Sequence, residues 1–542
     1  MKTQIRSGLT FGLVGGFGII LFGGWAAAVV GIMVGVALGL SLGGKVIRKD
    51  PLNTALQALP AAAISAVLFI IISLIQNYFI GPATGKTPSD LGLVIPANLL
   101  GALAVILLTC LITGLHGLPT RQEQIGKLIV LAAVIIAFPF IDNATGLRWS
   151  SATIYALIFV ILGLGLNIVV GFAGLLDLGY AAFFAIGAYT AGILSSPQHN
   201  IYLNFWLVIW IAAGVAAISG IALGAPTLPL RGDYLAIVTL GFGEIIPVIF
   251  RNLIKVTIQD PITCWVWPGI VRLFGSSTSL QCITFIKDMD LTAGEKGINP
   301  IGRPWFPFFG DLPANASIIH GSLKIGNSYL YIGEFQPANN IPWYFLIIAI
   351  IIMSVFLIRR LRDSRLGRAW MAVREDELAA SQMGIDPVRT KLMAFALGAM
   401  FSGFAGAFYA SYISGIFPSA FDFSASIIIL CVVVLGGLGN INGVIVGALI
   451  ITTADRLFLP ALKDLLTGLM DHSILPALAS NHTLQKAVAA NADPILYRFL
   501  LFGLTLVIMM AVRPEGLIPS AQRKAELHSE EEIAANQAAA EA

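Results

Sequence analysis

Apolar runs long enough to cross a bilayer follow one another along almost the whole chain, and this constrains the fold more than any other feature. From residue 8 to residue 44 the sequence is nearly uncharged for about 37 residues, which at 1.5 Å per residue is close to twice a bilayer core. A tight hairpin of two short helices fits that length. Further spans are predicted at about 60–80, 91–115, 128–141, 150–170, 178–194, 205–228, 234–254 and 342–358, with four more beyond the basic segment around Arg360. In lipid every backbone polar group must be satisfied internally, so only helices or a closed barrel can span. The runs are continuous rather than alternating, which selects helices.

Composition excludes the alternatives. The chain is 57% hydrophobic and 11% charged, against about 25% charged in a soluble domain. A net charge of +3 is too small to suggest nucleic acid. The first ten residues lack the cleavage site of a signal peptide, so the first span is expected to be retained.

Orientation follows from the basic residues, because cytoplasmic loops carry the excess of Lys and Arg. Lys45, Arg48 and Lys49 fall in one loop, Arg121 and Lys127 in another, and Arg231 in a third; alternate crossings put all three on one side. The cluster Arg359, Arg360, Arg362, Arg365, Arg368 and Arg374 falls there too, and this side is assigned to the cytoplasm. The stretch 426–453 then reads as two short helices rather than one if the C-terminal tail is cytoplasmic. Gly436, Gly437 and Gly439, with Asn440 and Asn442, supply the break, since clustered Gly and Asn favour turns. Two outer loops stand out, at about 255–341 and 460–493. The first contains Cys264 and Cys282, for which a disulfide and two free thiols both stay open in an oxidising compartment. Cys110 and Cys431 lie in apolar spans and are expected to pack.

The segment Gly81, Pro82, Ala83, Thr84, Gly85, Lys86, Thr87 imitates a phosphate-binding loop but fails it. Such loops need four residues between the glycines and here there are three; the segment also follows an apolar span instead of a strand, and lies outside the cytoplasm. No zinc signature and no convincing nucleophile elbow occurs, so neither cofactor nor catalytic residue is expected. Any ATP-driven step must come from another polypeptide.

Intramembrane carboxylates are costly and count as functional hypotheses. Asp177 lies in GFAGLLDLGYAAFFAIGAY, from Gly171 to Tyr189, and reads either as the N-cap of a span beginning at Leu178 or as a polar group on a substrate path. Glu244 lies mid-span in LGFGEIIPVIF, beside the helix-kinking Pro247. It reads equally as a packed, hydrogen-bonded carboxyl or as part of a pathway. Gly163, Gly165, Gly171, Gly174, Gly179 and Gly187 permit the close approach and broken helices that transporters use, although Gly-rich packing is also ordinary membrane architecture.

The stretch RLGRAWMAVREDELAASQMGIDPVRTKLMAFALGAM is the most informative. Residues 374–383 predict a short helix ending at Gly384, and Asp386 and Pro387 then read as N-cap and first turn of a helix entering the membrane. A soluble partner can push on such an element. Ala379, Ala380 and Gly384 would allow close approach, and Arg374, Glu375, Asp376 and Glu377 offer charge pairing. The alternative is an interfacial linker on lipid headgroups, against which the acidic residues argue.

Over roughly residues 150–520 the chain resembles the LivM-like permease subunits of ATP-binding-cassette importers for branched-chain amino acids. Five ordered blocks carry the resemblance: NIVVGFAGLLDLGYAAFFAIGAYTAGIL, YLAIVTLGFGEI, RDSRLGRAWMAVREDELAASQMGI, VVVLGGLGNINGVIVGALI and VRPEGLIPS. The coupling segment of such importers reads Glu-Ala-Ala followed three residues later by Gly. Here Leu378, Ala379, Ala380 and Gly384 fill the frame, with Glu377 one place earlier. The resemblance implies that the 374–384 helix docks on a cytoplasmic ATPase. It also implies that the Gly171–Tyr189 block, with Gly171, Gly174, Asp177, Gly179, Tyr180, Gly187 and Tyr189, lines the translocation route, to which Glu244 is added. The block LTAGEKGINPIGRP is similar to the family's outer loop but is separated from Glu244 by an insertion holding both outer cysteines.

The expectation is therefore an all-α polytopic permease with roughly a dozen spans, broken helices and a cytoplasmic coupling helix. It has an N-terminal extension over 1–145, a core over 146–520 and a charged tail over 521–542. By resemblance it is one subunit in a bacterial inner membrane, paired with a second homologous permease, two cytoplasmic ATPases and a periplasmic substrate-binding protein. An importer of urea or short amides and an ion-coupled transporter using Asp177 or Glu244 remain as alternatives.

Overall fold

The computed structural model describes residues 2–22, 26–43, 51–76, 94–116, 118–147, 149–199, 203–227, 233–254, 256–259, 284–304, 322–325, 328–331, 335, 339–470, 493–513 and 515–518. The segment 81–87, both outer cysteines, most of the second outer loop and the tail 521–542 lie outside them. The described residues are overwhelmingly helical. Ten helices are long and apolar enough to cross a membrane, and four shorter apolar ones accompany them.

Contacts group the chain into two compact units. The first comprises Met1–Ala152, Lys324–Tyr329 and Thr453–Arg498. It holds helices α1 (Lys2–Phe22), α2 (Ala26–Gly43), α3 (Pro51–Ile75), α4 (Val94–Leu115) and α5 (Thr120–Thr145). The hairpin expected at 8–44 is present as α1 and α2. Helix α3 starts at Pro51 rather than near Pro60, which sits inside it; the first Pro takes the start position that needs no N–H partner. Crossings rely on small residues. A Cβ on Gly31 of α2 would lie 2.3 Å from the Gly101 carbonyl of α4, and one on Gly8 of α1 would lie 2.6 Å from the Ala61 carbonyl of α3. Ile19, Ala27, Ala66, Phe69 and Ala102 fill the space between. At the end of α5 the buried Asp142 accepts the backbone N–H of Trp149 and of Ser150, both at 2.8 Å, and the Ser150 hydroxyl as well. It thereby satisfies the free donors that open the next helix.

The second unit comprises Thr153–Leu323, Leu330–Thr452 and Phe499–Ala542. Its helices are α6 (Trp149–Leu166), which begins in the first unit, α7 (Tyr180–Ser195), α8 (Phe205–Thr227) and α9 (Asp233–Asn252). Four short strands follow in the outer loop: β1 (Val256–Gln259) pairs antiparallel with β2 (Thr284–Met289), and β3 (Ser322–Ile325) pairs with β4 (Ser328–Tyr331). Among the described residues they are the departure from the expected all-helical pattern, and they lie outside the spans. Then come α10 (Asn340–Asp363), α11 (Arg365–Glu375), α12 (Glu377–Gln382), α13 (Pro387–Ile413), α14 (Phe423–Gly436) and α15 (Ile441–Thr453). A π turn at Ala454–Phe458 carries α15 into α16 (Leu459–Leu469), the turn and α16 both being counted in the first unit, so this span runs on past the predicted loop start at 460. Helix α17 (Arg498–Val512) is the last.

Helices α6 and α13 are the most buried spans among the described residues. Helix α13 runs between α7 and α8 at close range. A Cβ on Gly187 of α7 would meet the Gly403 Cα at 2.6 Å, one on Gly406 the Phe184 carbonyl at 2.5 Å, and one on Gly403 the Ala212 carbonyl of α8 at 2.8 Å. Three backbones pack this tightly only because glycine stands at each crossing.

Candidate functional site

The α6 helix does not simply end. It passes into a π turn, Asn167–Phe172, then an extended stretch through Asp177, and only then into α7. Gly174 makes the reversal with φ 69°, a conformation that favours glycine. Helix α7 starts at Tyr180, not at Leu178, and Asp177 is not its N-cap: the capping position belongs to Gly179. Asp177 is buried, and its Oδ1 accepts the Gly179 N–H at 2.9 Å, an Asx turn one step ahead of the helix. The free donors are satisfied from distant elements instead. Thr239 Oγ1 of α9 accepts the Leu178 N–H at 3.1 Å, and Ser426 Oγ of α14 accepts the Ala181 N–H at 3.0 Å. A Cβ on Gly179 would fall 1.9 Å from the Thr239 carbonyl, so α9 rests directly on this turn. Tyr180 then donates its buried hydroxyl to the Gly398 carbonyl of α13 at 2.7 Å.

A second break meets the first. Helix α14 ends at Gly436 and α15 begins at Ile441, with Gly437 at φ 113° and Gly439 at φ 77°. Asn167 Oδ1 accepts the Gly439 N–H at 2.9 Å. Leu517 and Ile518 of the closing block donate their N–H groups to the Leu435 and Gly436 carbonyls, covering the exposed end of α14. Arg359, in the C-terminal part of α10, reaches Asn442 at 3.3 Å, which puts this break at the same end of the unit as the basic cluster that begins there.

The third component is the segment from α11 to the start of α13, expected from its basic residues to face the cytoplasm. The single helix predicted over 374–383 is two, because Asp376 leaves helical geometry (φ −154°, ψ 110°) and its Oδ1 accepts the N–H groups of Leu378 and Ala379 at 2.8 and 3.0 Å. Asp competes with the helix ladder through such local bonds and prefers the cap. Gly384, at φ 84°, turns the chain, and Ile385 donates to the Ala380 carbonyl at 3.1 Å in a Schellman-type closure. Asp386 then caps α13 through Val388 and Arg389, with Pro387 in the first turn.

Side chains fasten this segment to the core. Trp370, fully buried, donates Nε1–H to the Thr390 carbonyl at 2.8 Å; Lys391 Nζ pairs with Glu377 Oε2 at 2.6 Å. Arg374 Nη1 donates to the Gly171 carbonyl at 2.7 Å, and a Cβ on Gly174 would lie 2.7 Å from Arg374 Cγ. The cytoplasmic segment therefore touches the α6–α7 break directly. Glu377 and Arg374 are engaged within the chain, Asp376 is a cap and Ala380 is buried, whereas Glu375, Leu378, Ala379, Met383 and Gly384 are exposed.

The remaining predicted path residues do not gather at this point. Gly187 lies further along α7, and Tyr189 lies in its outer half, stacked on Phe250 at 3.9 Å between ring centroids. Glu244 sits on the uncovered face of α9 with Ile245, Val248 and Ile249. Sequence reasoning missed Asn167, Trp370, Lys391 and Leu378 with Met383 as a contact surface. A polar residue inside the apolar run LGLGLNIVVGF was the available signal for Asn167.

Among the described residues no cluster of His, Cys, Asp and Glu could hold a metal ion. Residues 148–509 match the family described as branched-chain amino acid transport system permease component. The permease protein LivM of the high-affinity branched-chain amino acid transport system of Salmonella typhimurium is 32% identical over 403 residues, covering 74% of this chain and 76% of that protein. The LivM protein of Escherichia coli is 33% identical over 393 residues, covering 72% and 74%. The LivH permease of Escherichia coli is 29% identical over 141 residues, covering 26% of this chain and 44% of its own length. No solved structure matches the chain.

Proposed function

The chain belongs to the family of permease components of branched-chain amino acid transport systems, and from that premise we propose that it carries leucine, isoleucine and valine inward on energy supplied by partner ATPases. It is a multi-pass inner-membrane permease subunit of an ATP-binding-cassette importer. The hydrogen bond from Arg374 to the Gly171 carbonyl carries the mechanistic proposal. A cytoplasmic ATPase docked on Leu378, Ala379, Met383 and Glu375 displaces α11 and α12. Trp370, Lys391 and Arg374 pass the displacement to α13 and to the α6–α7 break. The break then biases a two-state pathway between outward and inward access, with ATP on one side and substrate on the other each favouring one state.

A second permease, related in sequence as the LivH proteins are to this chain, completes the pathway; two ATPases bind below and a substrate-binding protein delivers from outside. The N-terminal unit adds spans beyond this shared core. The test is ATP-dependent uptake of labelled leucine, isoleucine, valine and urea by proteoliposomes holding the full complex. Uptake of the three amino acids with none of urea is the expected result. Uptake of urea alone, or amino acid uptake that persists without ATPase subunits, sinks the proposal.

A further inference from the structure

At the outer end of the second unit a charged cluster forms that none of the coupling residues uses. Arg251, in the last turn of α9, lies 3.3 Å from Glu295 and 3.5 Å from Asp422. The three residues come from separate elements: α9, the segment 291–304, and the residue before α14. That segment is held in place at several points. Leu291 donates to the Leu253 carbonyl, Ile298 and Ile416 exchange both backbone hydrogen bonds, Gly302 donates to the Ser195 carbonyl, and Ser196 donates its hydroxyl to the Pro300 carbonyl at 2.9 Å. The cluster is thus positioned before any ligand arrives.

Beside it stands Tyr189, 1% exposed, whose hydroxyl has no hydrogen-bond partner among the described residues. Its ring stacks on Phe250 and lies 6.1 Å from Phe421, the immediate neighbours of Arg251 and Asp422. Arg251 and Glu295 both lie within electrostatic range of that hydroxyl. A buried hydroxyl without a protein partner keeps a donor free for a group that reaches it. Glu244 precedes Arg251 by about two helical turns, on the same face of α9 and about 10.5 Å inward along the axis. A carboxylate exposed there is costly in lipid, which favours protein or water on this face.

We propose that Arg251, Tyr189, Asp422 and Glu295 form an outer station for the zwitterionic backbone of an α-amino acid. The Arg251 fork takes the carboxylate, the Tyr189 hydroxyl donates to it, and Asp422 and Glu295 take the ammonium. The two acids hold Arg251 while the station is empty and exchange partners when the ligand enters. The apolar side chain is left unread here, so the station selects the class of α-amino acids and not one member. This rests on the importer function proposed above.

The test uses the full complex in proteoliposomes with leucine as probe, measuring uptake and binding-protein-stimulated ATPase activity together. Arg251→Gln is expected to raise the KM for leucine uptake at least about tenfold, the loss of one charge-assisted hydrogen bond, while stimulated ATPase activity persists. Tyr189→Phe, which keeps the packing, is expected to raise KM by a smaller factor and serves if Arg251→Gln fails to assemble. Unchanged KM in both variants overturns the proposal. Loss of stimulated ATPase activity with uptake in Arg251→Gln also overturns it, since the surface would then dock the binding protein. So does restored uptake in the triple variant Arg251→Gln, Glu295→Gln, Asp422→Asn, which would make the cluster a latch only. Wild-type complex that takes up no leucine refutes the importer reading itself, separately from the station.

Discussion

Arg374 on the cytoplasmic helix α11 donates a 2.7 Å hydrogen bond to the carbonyl of Gly171, in the π turn that ends α6. The carbonyl is available because the helical segment ends one residue later, leaving its last carbonyls without partners in the ladder, and the guanidinium is a charged donor that ties two elements 203 residues apart. Arg374→Met keeps the stem that packs on Gly174 and removes the donor. Uptake by the reconstituted complex is expected to fall at least about tenfold, while ATPase activity continues. If transport and ATPase activity stay in their wild-type ratio, the contact is not part of coupling.

The exposed surface of α12 and its turn separates residues that face outward from residues that hold the segment together. Leu378 is 68% exposed and Met383 84% exposed, apolar side chains on the face assigned to the cytoplasm. The double variant Leu378→Ala, Met383→Ala is expected to weaken retention of the ATPases by about tenfold or more on size-exclusion chromatography, as loss of apolar anchors does at an interface. Glu375→Lys should uncouple ATPase activity from uptake. Glu377→Lys has a different expected effect, because it sets a second cation against Lys391. It should lower the melting temperature of the permease even without ATPases present, and an unchanged melting temperature would show that the Lys391 pair does not hold α12.

Much of this was legible in the sequence, and the parts that were not share a cause. Spans and their order follow from uninterrupted apolar runs, which depend on local composition alone. Gly437, Gly439 and Gly384 take positive φ and stand where helices end, because glycine is the residue that marks such turns. The split at Asp376 was hidden, since Glu-Asp-Glu-Leu reads as helix until the aspartate is seen to cap. The start of α7 was misplaced by two residues because its donors are satisfied by Thr239 and Ser426, which no local pattern connects to Leu178 and Ala181. The cluster at Arg251 was invisible for the same reason: its members are contributed by three separated segments. Only the spacing of seven between Glu244 and Arg251, on one helix face, hinted at it.

The contact of α7 with α13 is a matter of backbone clearance and gives a sharp contrast. Gly187→Leu forces a side chain into a position where even a Cβ would meet the Gly403 Cα at 2.6 Å, so neither backbone can yield without repacking the other. A cost of about 1–3 kcal/mol or more is expected for such overpacking. Gly214 of α8 is exposed, and a Cβ there would meet nothing within 4 Å, so Gly214→Leu should leave stability unchanged. Thermal unfolding of the two variants in the same detergent decides it. Equal melting temperatures would mean that the close crossing is not what holds α7 and α13 together.

Glu244 offers a direct test of what covers the open face of α9. A carboxylate turned toward hydrocarbon near mid-span costs about 2.5–3.5 kcal/mol on insertion scales and more in isolation. Yet Glu244 is exposed, in line with Ile245, Val248 and Ile249 along the same helix. Water in a pathway, or a polar partner, is therefore expected to reach it in the assembled importer. With Cys110, Cys264, Cys282 and Cys431 replaced by Ser or Ala, Glu244→Cys is expected to react with a small charged thiol reagent in the reconstituted complex. Ile218→Cys, on the exposed side of α8, should react at least about tenfold more slowly if it faces hydrocarbon, which excludes charged reagents. Excess leucine should slow labelling at 244 when binding protein is present. Equal reactivity at 244 and 218, or no reaction at 244, would remove Glu244 from the pathway and leave it a carboxylate held by a neighbouring subunit.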